Sequence, residues 1–246
     1  MGTSLQDRTV VVIGRGSGIA RAVVEAARQA GAHVIVGGRD PQALREAYAG
    51  QTQDGPGGPA IRAEQIDVTD DVSIAALAAR LGPVDHLVTT ASARARGLVE
   101  DLDRAEVLNS LNTKVVGPLM LAKHFAPTLA EGGSLTLFSG VAAFKPAVGY
   151  LGVAITNGAA DFLARSLALE LAPIRVNAIS PGVIDTGIWD SLGEEGKNEY
   201  FTHFRTHNPA RRIGTVEDVA DAVLFAMTNP FLTGVTLRVD GGEPLT

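Results

Sequence analysis

Three glycines at alternate positions, in Gly14-Arg15-Gly16-Ser17-Gly18-Ile19-Ala20, carry the clearest chemistry in this chain. Glycines so spaced let the backbone turn tightly and approach a pyrophosphate. A helix opening behind them presents free N–H groups and the positive end of its dipole to the phosphates. The same residues could form an ordinary glycine-rich turn, so the reading depends on a strand before them and a helix after. Further on, Val36-Gly37-Gly38-Arg39 stands where dinucleotide-binding folds select their cofactor. An acidic residue there holds the ribose 2′-OH of NAD, whereas an arginine pairs with a 2′-phosphate. No carboxylate occupies the expected place, and Arg15 adds a second cation. NADP(H) is therefore expected in preference to NAD(H). The alternative is a solvated Arg39, with Asp40 holding the ribose. His203 and His207 have the i, i+4 spacing of one helix face, but no third ligand accompanies them and no metal site is expected.

The elements that must position these groups follow from hydrophobic pattern. Thr9 to Ile13 is a β-branched apolar run, as in a strand buried on both faces of a parallel sheet. Ile19 to Ala30 has helical spacing and stops at Gly31. Strands are then expected at 33–36, 61–67, 86–89, 134–138, 176–179 and 235–239. Helices are expected at 41–48, 72–81, 105–129, 150–171 and 216–227, the third of these bent or broken around Gly117-Pro118. Residues 51–59, with three Gly and two Pro, read as a mobile surface loop. Strand alternates with helix throughout, and no linker divides the chain. The expected fold is α/β: one doubly wound parallel sheet of the Rossmann type, about seven strands with helices on both faces, in a single domain over 1–246.

Composition narrows the function classes. The chain has 246 residues, 46% apolar and 20% charged, which suits one soluble domain with a sizeable core. A net charge of −6 without a basic tract lacks the footprint of a nucleic-acid binder. With no cysteine there is no disulfide, thiolate nucleophile or cysteine-ligated metal. No apolar run is long enough to span a membrane. Met1 to Gln6 is short and polar, with charge at Asp7 and Arg8, so no signal peptide and a cytoplasmic location are expected.

Over nearly its whole length the chain resembles the short-chain dehydrogenase/reductase family. The resemblance rests on Gly14 to Ile19, Asp67-Val68, Ala168-Leu169-Glu170-Leu171-Ala172-Pro173, Arg175-Val176-Asn177 and Pro181-Gly182 with Thr186. Arg212-Ile213-Gly214 and Asp240-Gly241-Gly242 add to it. It implies a nicotinamide cofactor, a small-molecule substrate and a homotetramer, or at least a homodimer. It places Asp67 and Val68 beside the adenine, Ala91 near the ribose, and Pro181, Gly182, Val183 and Thr186 around the nicotinamide. It makes 185–210 a substrate cover, which Trp189, Tyr200, Phe201 and Phe204 would line. The apolar run Phe162, Leu163, Leu167 and Leu171 would supply the contact between copies.

The family's catalytic signature does not match. Counted without gaps from Glu170, its tyrosine falls on Val153 and its lysine on Asn157; its serine falls on Gly140, next to Ser139. Counted from Gly117, its structural asparagine falls on Lys114. The usual Asn-Asn-Ala-Gly reads Thr89-Thr90-Ala91-Ser92. Carbonyl reduction needs a proton, and valine has none to give. The family pairs Asn on the first long helix with Lys on the second; here Lys114 and Asn157 reverse the pair. The exchange would keep one ammonium near the ribose, unless Lys114 is a solvated helix residue.

Tyr150 is the nearest substitute for the missing tyrosine, three residues before Val153 on the same helix face. That separation is about 4.5 Å of helix rise, and side chains tilt toward the N-terminus, so a bland role lining the cleft competes. Ser139 could hydrogen-bond a substrate carbonyl, or be a strand-end serine satisfied by backbone. Asp85-His86 reads as a strand-start pair. Three functions follow: an atypical NADP(H)-dependent oxidoreductase for a small carbonyl, quinone or enone; a catalytically silent cofactor-binding or partner module; and a lyase or cyclase reusing the cleft.

Overall fold

The computed structural model describes residues 4–55 and 58–246. Seven parallel strands form one sheet in the order β3-β2-β1-β4-β5-β6-β7. They are β1 (Thr9–Ile13), β2 (His33–Gly38), β3 (Arg62–Gln65), β4 (Val84–Thr89), β5 (Leu129–Phe138), β6 (Arg175–Pro181) and β7 (Thr236–Val239). The central strands are apolar on both faces, and Val10, Val11, Leu87, Val88 and Leu135 are fully buried. Such strands must be covered twice. Helices α1 (Gly18–Gln29), α2 (Pro41–Ala47) and α8 (Val216–Thr228) join one core cluster with Val10, Val12, Val34 and Val36. Helices α3 (Asp71–Leu81), α5 (Gly117–Phe125) and α6 (Leu151–Glu170) join the other, with Val11, Ile13, Leu87 and Leu135. The expected doubly wound sheet is therefore the one observed.

The order reverses at β1, whose two neighbours are β2 and β4. In open α/β sheets this switch point, at the carboxyl ends of the strands, is where ligands bind. Thr90 N and Thr90 Oγ1 both donate to Ile13 O, at 2.8 and 3.2 Å, tying the segment after β4 to the end of β1.

Three expectations about elements are corrected. The single helix expected over 105–129 is α4 (Arg104–Leu111), a π turn at Asn112–Val116, α5, and a 3-10 turn at Ala126–Thr128. The break comes before Gly117-Pro118: Pro118 is in the first turn of α5, where its missing N–H costs nothing. Tyr150 is the N-cap of α6 rather than a residue on its face. Of the stretch expected as a mobile loop, residues 56 and 57 lie outside the described residues. The rest is anchored to α1, because Arg28 Nε donates to Pro59 O at 2.6 Å and Arg28 Nη2 to Gly58 O at 2.8 Å.

Candidate active site

The turn from β1 into α1 has the features of a phosphate cradle. A Cβ on residue 14 would stand 2.1 Å from Thr90 Oγ1, so only glycine allows the two loops to meet. Gly18 has φ +56°, a left-handed conformation that disfavours side chains. Ser17 is the N-cap of α1, yet its side chain makes no capping bond and no acidic residue occupies the first turn. By contrast Asp40, Asp70, Asp103 and Thr215 cap α2, α3, α4 and α8 with their side chains. The N–H groups that open α1 are thus left for an outside acceptor, and these residues fit a dinucleotide's phosphates. Ala20, where a third glycine is usual, is buried and tolerated.

At the end of β2, Arg39 is exposed and has no ion pair among the described residues. Asp40 Oδ1 accepts from Gln42 N and Ala43 N as the cap of α2, which occupies the carboxylate that could have held a ribose. Asp67 Oδ1 accepts from Thr69 N and Thr69 Oγ1, and those bonds hold its carboxyl below the usual range. Val68 beside it is buried. Ala91 is half-buried next to Thr90. Across the cleft, β6 leads through Pro181, Gly182 and Val183 to Thr186, and a Cβ on Gly18 would stand 3.3 Å from Thr186 Cβ. Gly14, Arg15, Gly16, Ser17, Gly18, Ile19 and Thr186 therefore converge on one end of the sheet.

Lys114 is buried, not solvated: its side chain enters the molecule from the π turn with 8% exposure. A π turn inserts an extra residue into a helix and is often found at functional positions. Lys114 Nζ donates to Ser139 O at 3.0 Å and to Asn157 Oδ1. Asn157 is buried in α6, so the reversed pair expected from sequence is in direct contact. Burial pushes Lys114 down to about 7, and Arg94 adds a smaller push in the same direction. An ammonium has three N–H groups; the third has no acceptor among the described residues.

Ser139 is buried, and its hydroxyl donates to Asn157 O at 2.9 Å. The strand-end serine is thus engaged by backbone here, and that bond would have to be exchanged for Ser139 to donate to a substrate carbonyl. Tyr150 is half-buried, with the Arg96 guanidinium 4.7 Å from its ring centroid. Val153 is half-buried on α6, one turn from Asn157.

The segment expected to cover the substrate folds as a 3-10 turn, Ile188–Leu192, and α7 (Gly193–His207). Trp189 stacks on Tyr200 at 4.5 Å between centroids, and Tyr200 meets Phe204 at 4.8 Å. Burial raises Tyr200 to about 12, and Tyr150 adds to the rise. His203 and His207 are on the exposed face, His207 Nδ1 lying 2.7 Å from His203 O. Among the described residues no three His, Asp or Glu side chains are grouped to hold a metal. Asp85 binds Arg8 and Thr9 N, and His86, buried against Ser134 Oγ, is pushed down to about 4. That pair is structural.

Sequence reasoning missed three residues. Arg94 and Arg96 follow Ala91-Ser92 in a segment read only for its lost asparagines. Two arginines alternating with alanine, Arg94-Ala95-Arg96, were the available signal. Glu243, after Asp240-Gly241-Gly242, is buried with Oε2 unpartnered among the described residues, and burial raises its pKa.

A family model described as enoyl-(acyl carrier protein) reductase matches residues 13–243. The short-chain dehydrogenase/reductase ucsE of Acremonium sp is 32% identical over 254 aligned positions, covering 97% of this chain and 96% of its own length. A solved small-chain dehydrogenase in complex with NADPH is 28% identical, with TM-score 0.80, covering 98% of this chain and 100% of its own. The MalC reductase/Diels-Alderase of Malbranchea aurantiaca is 26% identical, with TM-score 0.91, covering 98% of both chains. No helix among the described residues is long and apolar enough to cross a membrane. The chain belongs to the short-chain dehydrogenase/reductase family of NAD(P)-linked oxidoreductases.

Proposed function

We propose that this protein is an NADP(H)-dependent oxidoreductase for a small carbonyl, quinone or enone, with Lys114 in the role the family gives to its tyrosine. The buried ammonium with one N–H unassigned carries the reading. Gly14, Arg15, Gly16, Ser17, Gly18 and Ile19 would hold the cofactor's phosphates and Arg39 its 2′-phosphate. Asp67 and Val68 would border the adenine, Ala91, Lys114 and Asn157 the ribose, and Pro181, Gly182, Val183 and Thr186 the nicotinamide. The bound cofactor would supply a hydride equivalent, two electrons and one hydrogen, to the substrate carbon.

The chain's own task is the proton. Lys114 Nζ gives one proton to the substrate oxygen, completing the alcohol of a reduced carbonyl, the hydroquinone of a quinone or the enol of an enone, and is left as a neutral amine that solvent reprotonates. The amine keeps two N–H groups, which still serve Ser139 O and Asn157 Oδ1. Its lone pair then points where the transferred proton was, so the same geometry supports the reverse step. Tyr150 lines the cleft, and residues 185–210 close it. An enone or a substrate with an acidic proton would need the least further help.

NADPH consumption, followed by absorbance across ketones, quinones and enones with NADPH affinity measured in parallel, is the test. Consumption with at least one class, abolished in Lys114→Met, is expected. Tight NADPH binding without consumption in any class would remove the redox reading. A second reading, a cyclase or lyase in the same cleft, is favoured by Val153 in place of the proton-donating tyrosine and by the likeness to a reductase/Diels-Alderase. It predicts substrate turnover with no change in NADPH.

A further inference from the structure

The segment after β4 brings two positive charges to the mouth of the cleft. Ala95 between them is fully buried, whereas Arg94 and Arg96 are exposed by area. The segment is held at three points. Ser110 Oγ donates to Ala93 O at 2.9 Å, Gly97 N donates to Gly149 O at 3.0 Å, and a Cβ on Gly152 would stand 2.8 Å from Ala95 O. Arg96 is thereby fixed over the ring of Tyr150. Arg96, Tyr150, Arg15 and Tyr200 each act electrostatically on Arg94, and Arg94 adds a smaller push to the lowered pKa of Lys114. Although open to solvent by area, Arg94 is hemmed in enough that burial lowers its own pKa, with Arg96 adding to the effect. Neither arginine has an ion pair or a hydrogen-bond partner among the described residues, while Arg8, Arg21, Arg62, Arg80, Arg165, Arg212 and Arg238 each face a carboxylate.

We propose that Arg94 and Arg96 recognise a carboxylate on the substrate, so that the cleft takes small oxo acids or unsaturated acids rather than neutral ketones. A guanidinium offers a planar fork of donors that matches a carboxylate with paired bonds. Cofactor phosphates are the other anions at hand. They would be met by the uncapped start of α1 and by Arg15, whereas Arg96 is anchored on Tyr150, at the start of α6. This rests on the oxidoreductase reading for the reaction but not for the binding.

The test loads the full chain with NADPH and titrates 2-oxobutanoate, acetoacetate and levulinate, each against its methyl ester, following protein fluorescence and NADPH absorbance together. At least one acid should bind about tenfold or more tighter than its ester, the factor expected for losing one charge-assisted pair. Arg94→Gln and Arg96→Gln should each erase that preference, with Arg96→Lys restoring part of it. Equal affinity for every acid and its ester in the wild type, which needs no variant to fold, would overturn the proposal. So would loss of NADPH affinity in both variants with acid selectivity intact. Acid-selective binding without NADPH consumption would leave the carboxylate site standing and remove the redox reading; esters consumed as readily as acids would do the reverse.

Discussion

A Cβ on residue 140 would stand 2.7 Å from the side-chain nitrogen of Asn157 and 3.3 Å from its Oδ1. Asn157 cannot withdraw, because that Oδ1 accepts from Lys114. A side chain at 140 and the asparagine at 157 therefore compete for one space. Gly140→Ser should destabilise the protein by about 1–3 kcal/mol, the usual range for overpacking. In an Asn157→Ser background the penalty should shrink, giving a coupling of about 0.5–3 kcal/mol in a double-mutant cycle. Urea melts of the four proteins check this, and strict additivity would show that residue 140 is free of Asn157.

Lys114 makes a signed prediction about pH. Burial lowers it from 10.5 to about 7. Between those values the unfolded chain holds a proton that the folded chain has lost, so stability rises with pH through that window. Below about 7 the folded chain carries a buried ammonium and the gain is absent. Lys114→Met should flatten this part of the stability curve, measured by melts from neutral to alkaline pH. As a proton donor Lys114 must be charged, so reductase rate should fall as pH rises through about 7. The Met variant should lose about 100- to 10,000-fold, the usual worth of a general acid.

Much of this was legible in the sequence because the signals were local. β-branched runs gave the strands, and three alternate glycines gave the turn into α1. Family spacing placed Lys114 opposite Asn157, and the structure brings the two into contact. What local pattern could not give was direction. Ser139 reads as a free hydroxyl until α6 is packed against it, and its partner is then the carbonyl of Asn157, eighteen residues away. Tyr150 reads as a helix residue until Gly149, with φ +77°, starts the helix after it. Arg94 and Arg96 matter only through the loop's three anchors, all contributed by distant segments.

Arg39 makes the cofactor prediction. It is exposed at the end of β2 while Asp40 is engaged in capping α2. Arg39→Ala should weaken NADPH binding by about tenfold or more and leave NADH nearly unchanged. Calorimetry with both cofactors measures it. Equal or reversed affinities in the wild type would remove the NADP(H) preference.

The contact between copies is sought on a different face from the one the sequence suggested. Leu167 is buried in its own sheet's core, and Leu163 and Leu171 pack against that core. Of the four residues expected at an interface, only Phe162 is exposed, at 64%. The exposed ladder on α6 is Leu151, Ile155, Phe162 and Leu169, spaced as one helix face. Phe162→Glu should convert a dimer or tetramer to a monomer by light scattering. A wild-type particle of 25.5 kDa at micromolar concentration would remove the oligomer altogether.

Restoring the family's residues tests how far the site has been rebuilt. Val153→Tyr with Asn157→Lys supplies the missing acid and its neighbour one turn apart on α6. Alone this double change should fail, since the new lysine would meet the ammonium of Lys114 and remove the acceptor that holds it. Adding Lys114→Asn reverses the exchange and relieves the repulsion. A serine at 140 would crowd the native asparagine, so Gly140→Ser is added only after Asn157 has been replaced. Activity, assayed on small oxo acids beside simple activated ketones, should rise from double to triple to quadruple mutant, the last adding Gly140→Ser. The pH limb near 7 should disappear together with Lys114. If the quadruple mutant folds, binds NADPH and reduces nothing, the cleft is not aligned for hydride transfer, and the cyclase or lyase reading becomes the better account of a site that keeps a dinucleotide cradle behind a buried lysine.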